Sequence, residues 1–521
     1  MNKENITMYN LINKMNEISS DKTCFVFKED NTRYTYKEFI NKVEECAKGL
    51  ISMGVTKGDH IGLWMDSIKE WYILFFAANM IGAKVVPINS SFKEVEMNNI
   101  IRDFDIDFLF MTEGYKKDHI ATIEPIVKNK DIKMITIGFN NPKYISYTDM
   151  IKDGYTICNN TLTNYTNNTY SNDICIVLPT SGTTGFPKGV ELSNVQIIKN
   201  GFDIGERYGL TSGDNMMIQV PMFHCFGITL SMTAALTHST CMTVIPHFNP
   251  EQALKTIEEE HITCFNGVPT MYQKMMASPK FSETDISSVT KGIMAGSNCL
   301  PQVIDEVEDK FNMTIISVYG LSEASPGCTM SSIDDSPYVR RYTVGKVLPD
   351  IECIVVDPIT GHEVKPGEIG EIMVRGYNVM RGYYNNTNAT KSAIEEDGYL
   401  HTGDLGSVDE YGNFYITGRK KDVIIVGGEN VYPKEVEMII SNIPGVYQVS
   451  VFGVPDDYYG NAVVACIQAE DFLDEEYIRS NMKGKCSSSK IPKYIQMNSE
   501  FITNGAGKIL IHEMRNRFLN A

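Results

Sequence analysis

Positive charge is in short supply in this chain. Lys and Arg number 47 against 65 Asp and Glu, a formal net charge of −18 over 521 residues. Nucleic acids and anionic membrane surfaces both select basic faces, so neither partner is expected. No apolar stretch reaches bilayer length. The longest, "WYILFFAANMIGA" (71–83), stops at Lys84, short of the ~20 residues a spanning helix needs, and reads as a buried helix; no integral membrane segment is expected. The start "MNKENITMYN" lacks the apolar core of a signal peptide. The 12 cysteines stand singly, with no Cys-x-x-Cys pair and no Cys/His cluster at metal spacing. A disulfide framework or zinc site is therefore disfavoured, and reduced thiols in a cytoplasmic protein are expected. No internal repeat is visible.

What remains is an ordinary globular composition, 43% hydrophobic and 21% charged. The length exceeds what one hydrophobic core supports, so at least two domains are expected. Residues 59–111 alternate "HIGLWM", the 71–83 helix, "KVVPI", the charged helix "KEVEMNNIIRDF" and "DFLFM". That βαβαβ rhythm implies a parallel, doubly wound sheet. A second strand series follows between 174 and 320, separated from the first by "NNTLTNYTNNTYSND" (159–173), which reads as an exposed connector. From about 340, "IECIVVDPITGHEV" and "GEIGEIMVRG" suggest strands joined by Gly/Pro turns in a small, more antiparallel subdomain. The tail to 521 is long enough for a small α+β domain.

The stretch "SGTTGFPKG" (181–189) packs three glycines, three hydroxyls and one lysine into nine positions after the apolar run "ICIVLPT". A Gly-rich turn leaving a strand converges backbone N–H groups on an anion, and "VELSNVQIIKN" after it is a candidate helix start. Gly182 and Gly185 permit close backbone approach, Ser181, Thr183 and Thr184 supply hydroxyls, and Lys188 supplies charge. The spacing fails the G-x-x-x-x-G-K-[ST] nucleotide loop, since Phe186 and Pro187 stand where that pattern needs others. Taken alone, the loop suits a phosphate cradle or a plain surface turn.

Four further stretches decide between these. "VYGLSE" (318–323), "YLHTGDLG" (399–406), "GRKKDVIIVGGENVYPKEVE" (418–437) and "NGAGKI" (504–509) follow in order. With "TSGTTGFPKGV" they resemble the signatures of the adenylate-forming superfamily: acyl-CoA synthetases, luciferases and peptide-synthetase adenylation domains. The resemblance spans nearly the whole chain and is strongest to medium- and long-chain fatty acyl-CoA synthetases. It implies an α/β fold: a large N-terminal ATP- and acyl-binding domain (1–420) of doubly wound sheets with a small β-barrel-like subdomain, then a small mobile α+β C-terminal domain (421–521).

The resemblance also implies chemistry. A carboxylate attacks the α-phosphorus of ATP to give acyl-adenylate and pyrophosphate, and the thiol of coenzyme A then displaces AMP. Two anions meet in the first step, so cations and donors aimed at the α-phosphate are the main requirement. By resemblance Glu323 is the Mg²⁺ ligand, and Ser322 and Thr183 contact phosphate. Gly296, Ser297 and Asn298 of "AGSNCLP" flank the base beside Gly320. Tyr319 either stacks on adenine or is a core tyrosine. Asp404 accepts from the ribose hydroxyls with Arg419 adding a contact, or "GD" is a simple Asx-turn. Lys508, on its Gly-x-Gly loop, bridges the acid and the α-phosphate; Ile502 and Asn504 replace the family's commoner proline and threonine there. His224 in "PMFHCFG" borders the acyl pocket or is a satisfied core histidine. Lys421 marks the hinge, and Gly427 and Gly428 line the thiol path after the small domain swings. The region after His224 reads "CFGIT" without the tunnel-closing tryptophan of some long-chain members, so medium, branched or aryl acids fit as well as long ones. Two other functions share these sequence features: a ligase loading the phosphopantetheine of an acyl or peptidyl carrier protein, and a non-catalytic nucleotide sensor, against which the intact Glu323, Asp404 and Lys508 argue.

Overall fold

A computed structural model describes residues 6–114, 118–128, 130–180, 187–296, 299–503 and 509–520. The βαβαβ expectation holds. His60–Trp64 is fully buried and pairs in parallel with Lys84–Ile88 on one side and Phe108–Met111 on the other. The intervening helix Lys69–Met80 buries every residue from Trp71 to Met80, the placement demanded of a helix that is apolar all round. These strands belong to an eight-stranded sheet, which also takes Ile174–Thr180, the first strand of the expected second series, beside Lys84–Ile88; a nine-stranded sheet gathers the rest of that series. In that second sheet Asn215–Ile218, Cys264–Phe265, Lys291–Met294 and Thr314–Gly320 lie parallel side by side. One continuous hydrophobic core joins both sheets, from Met8 to Phe414.

The antiparallel subdomain is a four-stranded sheet in which Ile351–Val356, Gly370–Gly376, Leu400–Val408 and Phe414–Arg419 follow in order. Beyond it, separate cores form within 424–497 and around the terminal helix Ile511–Leu519. The helix Pro433–Ser441 and a three-stranded sheet make this part α+β. It touches the larger body through the Gln302 amide, which donates to Asn442 Oδ1.

Two expectations need correction. The 159–173 connector contains a helix, Asn159–Asn167, which seats Leu162 in the core and leaves most of its Asn and Thr side chains outside. Threonine hydroxyls donating back to the preceding turn, such as Thr163 to Asn159 O at 3.0 Å, let so polar a segment stay helical. And the chain after "SGTTGFPKG" continues as a strand, not a helix: Lys188–Ser193 pairs antiparallel with Ile174–Thr180. The helix Asn194–Tyr208 starts only at the far end of that strand, where Gln196 Oε1 accepts from Ser193 N at 2.8 Å. The strands on either side of 181–187 therefore run antiparallel, and the next helix starts at the far end of the second of them.

Candidate active site

The segment 318–323 is the centre of the site, and each of its ends is tied to a different part of the fold. It leaves the strand Thr314–Gly320 and turns into the short helix Ser322–Ala324. Gly320 is obligatory at the corner, because an added Cβ would stand 1.8 Å from the carbonyl oxygen of Pro326.

At one end lies Asp404, whose side chain is 8% exposed and pairs with Arg419 Nε at 2.9 Å. Strand register creates this pair, since Asp404 and Arg419 sit opposite each other in the antiparallel sheet. The Tyr319 phenol donates to the other carboxylate oxygen at 2.9 Å. Tyr319 itself is 8% exposed and packed in the main hydrophobic cluster. Burial, then the Asp404 charge, pushes its phenol well above the usual range, so it stays a donor. An electrostatic influence the sequence did not suggest comes from the C-terminal part. Lys434, at the start of the helix Pro433–Ser441, has its ammonium pushed down by burial and partly restored by Cys299, Glu437 and Asp404.

At the other end, Glu323 Oε1 accepts from the Tyr383 hydroxyl at 2.8 Å, while its backbone carbonyl accepts from Met380 N at 2.8 Å. The face of the same tyrosine carries Lys188, whose Nζ is 4.8 Å from the ring centroid. The geometry therefore brings Lys188 of the Gly-rich hairpin and Glu323 to one side chain. Burial and the Glu323 charge raise the Tyr383 phenol, which holds it protonated.

Between the two ends, Ser322 Oγ stands 3.7 Å from the Cys225 thiol, and His224 Nδ1 stands 3.6 Å from it. Burial would raise that thiol, but the neighbouring His224 and the Ser322 hydroxyl outweigh it and hold it below the usual range. His224 is exposed, which rules out the core-histidine placement, and its Nδ1 accepts from Phe226 N at 3.3 Å. Gly296 lies beside Val268 and Phe226 with a positive φ of 82°. Lys421 is an exposed part of the turn Lys420–Asp422. Gly427 and Gly428 form the tip of a hairpin, with φ of 57° and 89°. Ser181, Gly182, Thr183, Thr184, Gly185, Ser297, Asn298 and Lys508 lie outside the described residues.

Comparison with known proteins decides the family. The model of the AMP-binding enzyme family matches residues 14–384, and that of the AMP-binding enzyme C-terminal domain matches 435–508. The chain belongs to the AMP-binding enzyme family. YngI of Bacillus subtilis (strain 168), assigned by name to the acyl-CoA synthetases, is 35% identical over 98% of this chain and 97% of its own length. The mitochondrial medium-chain acyl-CoA ligase ACSF2 of Danio rerio is 32% identical over 95% of this chain and 86% of its own. Among solved structures, ATP-bound MatB from Rhodopseudomonas palustris superposes with a TM-score of 0.85 at 26% identity, covering 98% of this chain and 99% of that one. The α/β architecture with its distinct C-terminal part is that of this AMP-binding family, and the chain is an enzyme. Among the described residues, no helix is long and apolar enough to cross a membrane.

Nothing in the residue pattern singled out Tyr383, which sits in the unremarkable run "MRGYYNN" 60 residues from its partner. Lys434 was equally silent within "YPKEVE".

Proposed function

We propose that this enzyme activates a carboxylic acid, most readily a fatty acid of medium length or a branched or aryl acid, and passes it to coenzyme A. The observation that carries this is the arrangement around 318–323. This segment reaches Asp404 through Tyr319 and the Cys225–His224 pair through Ser322, and it ends on Glu323. Asp404, pinned by Tyr319 and Arg419, presents fixed lone pairs to the two ribose hydroxyls of ATP. Lys188 and the hydroxyls of 181–184 hold the outer phosphates, and Ser322 contacts the α-phosphate. The acyl chain extends past His224 and Phe226 toward Val268 and Gly296. The fatty acid, coenzyme A and the 1–420 and 421–521 division are part of this proposal. The division is supported by the separate hydrophobic clusters on either side of it.

Magnesium fits the donors at the Glu323 end. Among the described residues no three His, Cys, Asp or Glu side chains stand together as a cage. Glu323 would hold a small, hard cation there as its one protein carboxylate, which suits an ion that dehydrates reluctantly. When bound, Mg²⁺ would neutralise the charge of the departing pyrophosphate. Glu323 holds it, and Lys188 neutralises the same phosphates from the other side of Tyr383. Lys508 lies with the acid and α-phosphate in the first step, where positioning and opposite charge lower the barrier for two anions to meet. Rotation about Lys421 then exchanges it for the Gly427–Gly428 tip, whose bare backbone leaves room for a pantetheine arm.

Lys508→Ala is the decisive variant. Acid-dependent pyrophosphate release should fall by ~10³-fold or more, while conversion of supplied acyl-adenylate to thioester is retained. Loss of both steps, or of neither, overturns the two-state assignment. A panel of acids with coenzyme A or a carrier protein as acceptor tests the substrate: transfer to the carrier alone overturns coenzyme A, and no acid-dependent pyrophosphate with any acid overturns the ligase itself.

A further inference from the structure

The roles proposed above account for Glu323 and Lys188 separately, but neither explains why one tyrosine touches both. Tyr383 lies in a strap, residues 378–384, that is sewn to two distant pieces of chain. Asn378 Nδ2 donates to the carbonyls of Ala324 and Gly327 at 3.1 Å each, and Ser325 Oγ donates to Asn378 O at 2.6 Å. Met380 N donates to Glu323 O at 2.8 Å. The strap then crosses to the Gly-rich hairpin: Arg381 N donates to Glu191 O at 3.0 Å and Tyr384 N to Gly189 O at 2.7 Å, with Tyr383 opposite Val190 in register. At the crossing point Tyr383 directs its hydroxyl to Glu323 Oε1 at 2.8 Å and its ring face to the Lys188 ammonium at 4.8 Å.

We propose that Tyr383 is a positioning residue that sets the spacing between the metal-binding carboxylate and the phosphate-binding lysine. This rests on the adenylate-forming reading above. A hydrogen bond to one carboxylate oxygen fixes the plane of the group and directs its second oxygen, as partners of metal ligands generally do. The negative face of the ring attracts the ammonium and limits where a long, flexible lysine can stand. A tyrosine is the economical choice for both tasks, because its donor and its π face point in perpendicular directions. Phenylalanine keeps only the second task, and leucine keeps neither.

That difference provides the test. Binding of α,β-methylene-ATP is titrated by calorimetry across a range of Mg²⁺ concentrations, with AMP binding and the thermal midpoint as controls. Tyr383→Phe should raise the Mg²⁺ concentration needed for half-maximal tightening by about 10- to 100-fold, while AMP affinity and the thermal midpoint stay at the wild-type values. Tyr383→Leu should show the same Mg²⁺ shift and also weaken metal-free binding of the analogue by about 2- to 5-fold, through loss of the ring beneath Lys188. A Tyr383→Phe protein with wild-type Mg²⁺ dependence overturns the positioning role, and so does a parallel fall in AMP affinity, which would make Tyr383 a general packing residue. If the wild-type protein binds neither AMP nor the analogue, the adenylate-forming reading itself fails and this inference with it. The wild-type titration separates that outcome from a failure of Tyr383 alone.

Discussion

Asp404 is held inside a strand pair, whereas Glu323 is held from outside its own element. Asp404 sits mid-sheet with Arg419 opposite by register and the Tyr319 phenol behind it, so the same pairing that builds the subdomain orients the carboxylate. Glu323 sits in a one-turn helix and depends on a strap that arrives 60 residues later, through the Tyr383 hydroxyl and Met380 N. The Asp404–Arg419 pair is therefore assembled as soon as the sheet forms, and only the Tyr319 phenol comes from another sheet. The Glu323 end needs three separate chain segments to meet. Substitutions at the first should disturb a preformed acceptor, while those at the second should act through orientation.

The largest loss is expected away from both ends, and it calibrates them. Asp214 is 9% exposed and accepts from Lys291 Nζ at 3.0 Å, Thr263 Oγ1 at 2.8 Å and Thr211 N at 2.8 Å. Asp214→Asn leaves Lys291 buried without its counter-charge, which should cost about 4 kcal/mol of stability with AMP affinity unchanged. Burial alone would raise the Asp214 carboxyl, but Lys291, Thr263 and Thr211 hold it below the usual range. A depressed carboxyl stabilises the fold above the unfolded value of about 3.9 and loses that contribution as pH falls through the folded value. Urea melts from pH 7 to pH 3 should show that acid-side loss in the wild type and a flatter profile in the variant. A fall in AMP affinity would mean the site cannot be separated from global stability.

Next comes Asp404→Ala, which strands a buried phenol and removes the proposed ribose acceptor. About 3 kcal/mol, or roughly 100-fold in AMP affinity by calorimetry, is expected. A change under threefold would remove Asp404 from the nucleotide site and dissolve the contrast between the ends. The smallest effect belongs to Arg419→Gln. Arg419 is 44% exposed, so its pair with Asp404 is screened and worth about 0.5 kcal/mol, roughly a twofold loss of AMP affinity that disappears in 1 M salt. A larger, salt-resistant loss would show that the partner strand, and not the Tyr319 phenol, does most of the orienting.

Legibility in the sequence divided along physical lines. The βαβαβ unit could be read because its periodicities are local: a strand buried on both faces must be apolar throughout, and "HIGLW" is. The conversion of 190–193 from candidate helix to strand could not, since only the neighbouring strand Ile174–Thr180 makes that register favourable. Nor could the helix at 159–167, whose weak intrinsic propensity is offset by one buried leucine and local hydroxyl contacts.

The sequence by itself determined the family, the acidic character and the set of chemically able residues, because short signatures carry those in residue identity and spacing. Tertiary structure alone decided which of them share a site and what holds each one. It assigned the Tyr319 phenol to Asp404, exposed His224, and placed Tyr383 between Lys188 and Glu323. The physical reason is range: propensity and pattern act over a few residues, whereas these contacts are set by sheet register and by chain segments that meet only after the core has formed.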